Sequence, residues 1–104
     1  MNEQKMIRVA GIGDISENSS LCVSAEGLEL SLFYVNGKYF VTANACPHAG
    51  GPLCEGSIET DVITCPWHGS KFNIETGEVM NGPASVAVKT YPTEVRDGDI
   101  YITL

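Results

Sequence analysis

The 104-residue chain carries thirteen acids against six bases, a formal charge of −7 at neutral pH. That sign argues against nucleic acid and anionic membrane as partners, and suits docking on basic protein surfaces or simple solubility. With 43% hydrophobic and 18% charged residues the composition is globular, and the length fits one domain over residues 1–104.

The opening MNEQKMIRVAGIGD has neither an apolar signal core nor a small-residue cleavage site, so a cytoplasmic protein is expected. Its MIRVAGI portion reads as a first short strand, and GDISENSS makes at most one helical turn. The GIG at residues 11–13 lacks the third glycine and the following helix of a nucleotide fingerprint. SLCVSA and LELSLFYV are β-rich runs separated by Glu26-Gly27. SLFYVNGKYFVTAN is a hairpin, with Asn36-Gly37 supplying the left-handed backbone its two-residue turn requires. Residues 39–54 carry no acid or base, but their prolines, glycines and His48 exclude a membrane helix.

DVITC, KFNIETGEV and SVAVKTY add further strands, divided by Glu75-Thr76-Gly77 and Gly82-Pro83. YPTEVRDGDIYITL closes the chain as a second hairpin, with Asp97-Gly98 at its turn and Ile100, Ile102 and Leu104 alternating on one face. The pattern predicts an all-β fold, a small antiparallel sandwich or barrel. Tyr39, Phe40 and Tyr91 read as core or cross-strand residues. Cys22 reads as a buried small hydrophobe, and Cys54 as a spare thiol rather than a fifth ligand.

Two boxes interrupt this layout, CPHAGGPLC at 46–54 and CPWHGSKF at 65–72. The first follows the strand ending near Thr42; the second follows DVIT and leads into KFNIETG. Two loops leaving the same end of a β scaffold can converge on one ligand. Together they hold both histidines of the chain, His48 and His68, and two of its four cysteines. Thiolate and imidazole suit zinc, copper and iron. A structural zinc site, the principal rival reading, usually pairs like ligands close together. Mixed boxes suit two metals, one taking both sulfurs and the other both nitrogens, which is the ligand division of a Rieske [2Fe–2S] centre.

At these residues the sequence resembles the Rieske family: Cys46-Pro47-His48, a sixteen-residue gap, then Cys65-Pro66-Trp67-His68-Gly69-Ser70. Gly82-Pro83-Ala84 is similar to the proline-bearing loop that covers the cluster in that family. The resemblance implies one [2Fe–2S] cluster, with Cys46 and Cys65 on an inner iron and His48 and His68 on an outer one. It further implies a cluster-binding subdomain with loops about 44–54 and 64–72 and a cover loop about 81–85. Ser70, Trp67 and Pro83 are expected around the cluster: Ser70 to donate to a bridging sulfide, Trp67 and Met80 to shield the centre or fill space. Where high-potential members carry a disulfide between the boxes, this chain has Gly51 and Trp67, so that bridge cannot form. Phe72 stands where those members have a tyrosine.

The branch so implied is that of soluble Rieske-type ferredoxins. These pass one electron from a flavin-dependent reductase to a terminal, ring-hydroxylating type of oxygenase. The alternative is a small subunit or accessory module of a larger reductase such as a nitrite reductase. Two neutral imidazoles in place of two thiolates leave the centre less negative than an all-cysteine cluster. Rieske potentials accordingly span roughly −150 to +300 mV, against about −400 mV for plant-type ferredoxins. The resemblance places this chain in the lower part of that range. No second iron site and no nucleotide fingerprint accompany the boxes, so an electron carrier is expected rather than an enzyme, and a monomer.

Overall fold

The computed structural model describes residues 5–47, 50–67, 69–82 and 84–104. Among the described residues, eleven strands form three antiparallel sheets. The first sheet joins β1 (Met6–Gly11), β11 (Asp99–Thr103) and β10 (Thr93–Arg96) in the order β1-β11-β10. The second runs β2 (Ser19–Ala25), β3 (Leu28–Val35), β4 (Lys38–Ala43) and β9 (Thr90–Tyr91). The third is a meander of β5 (Ser57–Glu59), β6 (Val62–Thr64), β7 (Lys71–Asn73) and β8 (Val79–Asn81). The all-β expectation holds. Among the described residues the helical elements are two short 3-10 turns, Ile12–Asp14 and Leu53–Glu55, and no helix is long and apolar enough to cross a membrane.

The hairpins form where local chemistry demands them. Asn36 and Gly37 take φ of 53° and 74°, and Asp97 and Gly98 take 50° and 81°, the paired left-handed residues that match strand twist. Glu26-Gly27 repeats the device at 52° and 81°. One expectation needs correction. SVAVKTY contributes only Thr90 and Tyr91 to a strand, because Ser85 to Ala87 stand exposed without a ladder. KFNIETGEV divides into β7 and β8 around Glu75-Thr76-Gly77, as expected. Strand β5 carries no sequence signal, since the turn joining it to β6 uses Thr60 at φ 59° rather than glycine or asparagine.

Strand β3 separates two cores. Leu30 and Leu32 point to one side, where they pack with Val41, Ile100 and Ile102 between the first two sheets. Phe33 and Val35 point to the other, meeting Ile63, Phe72 and Ile74 of the third sheet together with Cys46 and Cys65. Period-two alternation on a strand buried on both faces puts one residue set into each core. Tyr39 and Tyr91 border the first core and Phe40 the second, as β residues. Tyr34 and Tyr39 stack with ring centroids 4.3 Å apart, and burial followed by the neighbouring Tyr34 raises the Tyr39 pKa.

Candidate metal centre

Both boxes leave the ends of strands, the first after β4 and the second between β6 and β7. Each closes on itself in the same way. The Cys46 N–H donates to the Gly51 carbonyl at 2.9 Å, and the Gly50 N–H donates back to the Cys46 carbonyl at 2.7 Å. In the second box the Cys65 N–H donates to the Ser70 carbonyl at 2.8 Å, and the Gly69 N–H to the Cys65 carbonyl at 3.1 Å. Gly50 and Gly69 stand four residues after their cysteines and adopt φ of 76° and 78°, a conformation that favours glycine. The signal for this pair in the sequence is the common Cys-x-x-x-Gly spacing.

The loops converge. A Cβ on Gly51 would lie 2.9 Å from the Cys65 sulfur and 2.9 Å from Cγ of Trp67, so the first loop rests against the second. Positions 51 and 67, where high-potential members carry their bridge, are thus neighbours, and the indole takes up the space beside Gly51. A third segment joins them at Gly82, whose Cβ would fall 2.6 Å from the Ser70 Cα, and at Ala84, whose N–H donates to the Ser70 hydroxyl at 3.0 Å. The expected cover loop therefore lies against the second box.

Cys46 and Cys65 are 2% and 1% exposed, in one apolar cluster with Leu53, Ile63 and Phe72. Two buried thiols carried by matched loops fit the sulfur-bound iron of a [2Fe–2S] cluster, since thiolates there are neutralised by metal rather than by water. His48, His68 and Pro83, expected at this site, lie outside the described residues. Ser70 is fully buried, whereas Trp67 and Met80 are 58% and 55% exposed, so neither is a core filler.

Cys22 and Cys54 depart from expectation. They form a disulfide with a Cα–Cα distance of 5.0 Å, so neither is a simple thiol, and Cys22 is exposed rather than buried. The reason is topological. Cys22 pairs with Ser31 across the β2–β3 ladder and shares its face, toward which the first loop folds back. There the Ser31 hydroxyl and the Cys54 N–H both donate to Asn44 Oδ1, at 2.8 and 3.0 Å.

The family model of the Rieske [2Fe-2S] domain matches residues 5–92. The ferredoxin component of the naphthalene 1,2-dioxygenase system of Pseudomonas putida is 34% identical over 100 residues, 96% of each chain. Among solved structures, the Sphingomonas yanoikuyae B1 ferredoxin superimposes with a TM-score of 0.90 at 31% identity, over 96% of this chain and 99% of that one. The complex of reduced oxygenase and oxidized ferredoxin in carbazole 1,9a-dioxygenase supplies a second match, with a TM-score of 0.87 and 30% identity over 93% and 91% of the two chains. The paired loops, the buried thiols and these likenesses agree: the chain belongs to the Rieske [2Fe-2S] family and takes one such cluster.

Proposed function

We propose that the chain is the ferredoxin component of a multicomponent oxygenase system, relaying single electrons from a flavin-dependent reductase to a ring-hydroxylating type of terminal oxygenase. The observation that carries this reading is the pair of matched cysteine loops, set in a chain that aligns along nearly its whole length with a dioxygenase ferredoxin. The likeness to a ferredoxin solved in complex with its oxygenase supports the oxygenase as electron acceptor.

In this reading Cys46 and Cys65 would hold the inner iron, and His48 and His68 the outer one. The loops at 44–54, 64–72 and 81–85 form the site within a single domain over 1–104. When bound, the cluster supplies a one-electron couple. The chain's own contribution is to keep water from the thiolates, through Leu53, Ile63 and Phe72, and to fix the two loops against each other at Gly51. Pro47, Trp67 and Gly69 are exposed and uncharged, so a partner can approach the centre without desolvating ions. The protein is a cytoplasmic monomer that carries electrons and leaves catalysis to its partners.

Iron and acid-labile sulfide analysis of the purified protein, followed by an electron-relay assay with a reductase and a dioxygenase, tests the reading. Iron and sulfide in equal amounts and reductase-dependent turnover are expected. Cys46→Ser and Cys65→Ser abolish assembly, while Cys22→Ser retains it. Zinc without sulfide would overturn the proposal, and copurification with a large reductase would reassign the chain as a subunit.

A further inference from the structure

We propose that Cys22 and Cys54 form a thiol–disulfide exchange site, separate from the cluster ligands, whose closed state fastens the first cluster loop to the second sheet. The two sulfurs join segments 32 residues apart in sequence. Cys22 lies on β2, the edge strand of its sheet; Cys54 lies in the 3-10 turn that ends the first loop.

Cys54 is held from both the base of that loop and strand β2. Its N–H donates to Asn44 Oδ1, and its carbonyl accepts from the Ser20 hydroxyl at 2.8 Å. The Leu53 N–H donates to the Asn44 carbonyl at 2.9 Å, and Ala45 bridges Pro52. Asn44 is two residues from Cys46. Opening the loop to admit or release iron at Cys46 therefore means parting these hydrogen bonds, each modest in net worth. The disulfide adds a covalent tie at the same place. With it closed, Cys54 cannot leave β2; with it open, the end of the loop is held by hydrogen bonds and by the apolar packing of Leu53.

The two sulfurs differ in access. Cys22 is exposed and Cys54 is buried. An external thiolate therefore attacks the Cys22 sulfur, the S–S bond breaks, and Cys54 leaves as a thiolate that takes up a proton. A second external thiolate then attacks the external sulfur of this mixed disulfide and displaces Cys22 as a thiolate that takes up a proton, leaving two protein thiols and one external disulfide. Closure reverses these steps with a small-molecule disulfide as oxidant. In a reducing cytoplasm such pairs are typically transient rather than permanent. The open pair suits cluster assembly, and oxidising conditions lock the assembled loop.

The holoprotein, equilibrated across ratios of reduced to oxidised glutathione, is quenched in acid, alkylated and read by peptide mass. Cys22 and Cys54 should pass together from linked to alkylated as the ratio rises. In parallel, loss of visible absorbance under excess chelator should run roughly tenfold faster in the open form than in the linked form. Cys22→Ser, a change at an exposed strand position, should show the open rate at every ratio. Alkylation of both cysteines at all ratios, or equal decay rates for linked and open wild-type protein, would overturn the proposal. Neither readout uses a reductase or an oxygenase, so the electron-carrier reading stands or falls separately.

Discussion

The Ser70 hydroxyl accepts a hydrogen bond from the Ala84 N–H at 3.0 Å, fully shielded from solvent. A hydroxyl that accepts still has its own proton to donate. If that proton goes to a cluster sulfur, as the resemblance implies, the bond strengthens when reduction makes the acceptor more negative. The gain is about 1 kcal/mol, the difference between bonds to neutral and to charged groups. That corresponds to roughly 40 mV at about 59 mV per tenfold for one electron. Ser70→Ala should therefore lower the reduction potential by some tens of millivolts while the cluster still assembles. It should also cost about 1–3 kcal/mol of stability, because the Ala84 N–H is left buried without its acceptor. Voltammetry and denaturant titration separate the roles: lost stability at an unchanged potential would make Ser70 a loop fastener alone. Phe72, fully buried in the cluster that holds both thiols, offers the converse test. Phe72→Tyr should raise the potential where the added hydroxyl reaches a sulfur.

The hairpins and the two cysteine loops are legible in the sequence because their causes are local. Asn36-Gly37 and Asp97-Gly98 each pair two residues that tolerate positive φ between β-rich runs, and no distant contact is needed to place them. The Thr60 turn is illegible for the same reason in reverse. Threonine at φ 59° is held there by pairing of β5 with β6, a tertiary cause that leaves no local mark. The Cys22–Cys54 link depends on which face of β2 meets the end of the first loop, and that follows only from the β2–β3 register. The two cores are half legible: alternation along β3 announces two faces, but not that both are covered.

Gly82 and Gly50 both have positive φ but differ in the space around them. At Gly50 a Cβ would meet nothing within 4 Å; at Gly82, with φ 99°, it would fall 2.6 Å from the Ser70 Cα. Gly50→Ala should cost about 1–2 kcal/mol from backbone conformation alone. Gly82→Ala adds a backbone clash that no rotamer can relieve, and should cost more and loosen the third loop. Thermal unfolding of the two holoproteins ranks them, and equal melting temperatures would show that this loop yields freely.

Ile63 and Ile100 are both fully buried, but in different cores. Ile63→Ala and Ile100→Ala should each destabilise by about 2–5 kcal/mol. Only Ile63 shares its core with Cys46 and Cys65, so only Ile63→Ala should speed cluster loss beyond what global unfolding explains. Decay of visible absorbance well below the melting temperature measures this. Equal acceleration in both variants would mean that the cores open as one unit.

The cluster loops are nearly free of acids and bases, Lys71 near the end of the second being the exception. Residues 44–54, 64–70 and 80–88 contain no acid or base, so the net −7 sits on the rest of the chain. Attraction to a basic partner would therefore act from the flanks, steering encounter, and contact at the loops would be apolar, with Trp67 at 58% exposure as its anchor. The two effects separate experimentally. Raising the salt concentration should slow reduction by the reductase, since exposed charges are screened beyond ~8–10 Å at physiological ionic strength. Trp67→Ala should slow it about tenfold at every salt concentration, as loss of an aromatic interface anchor worth ~1.4 kcal/mol would. The salt slope of Trp67→Ala should match that of the wild type, because no charge is removed. A wild-type rate flat in salt would remove the −7 charge from the encounter, and an unchanged rate in Trp67→Ala would move the contact away from the second loop.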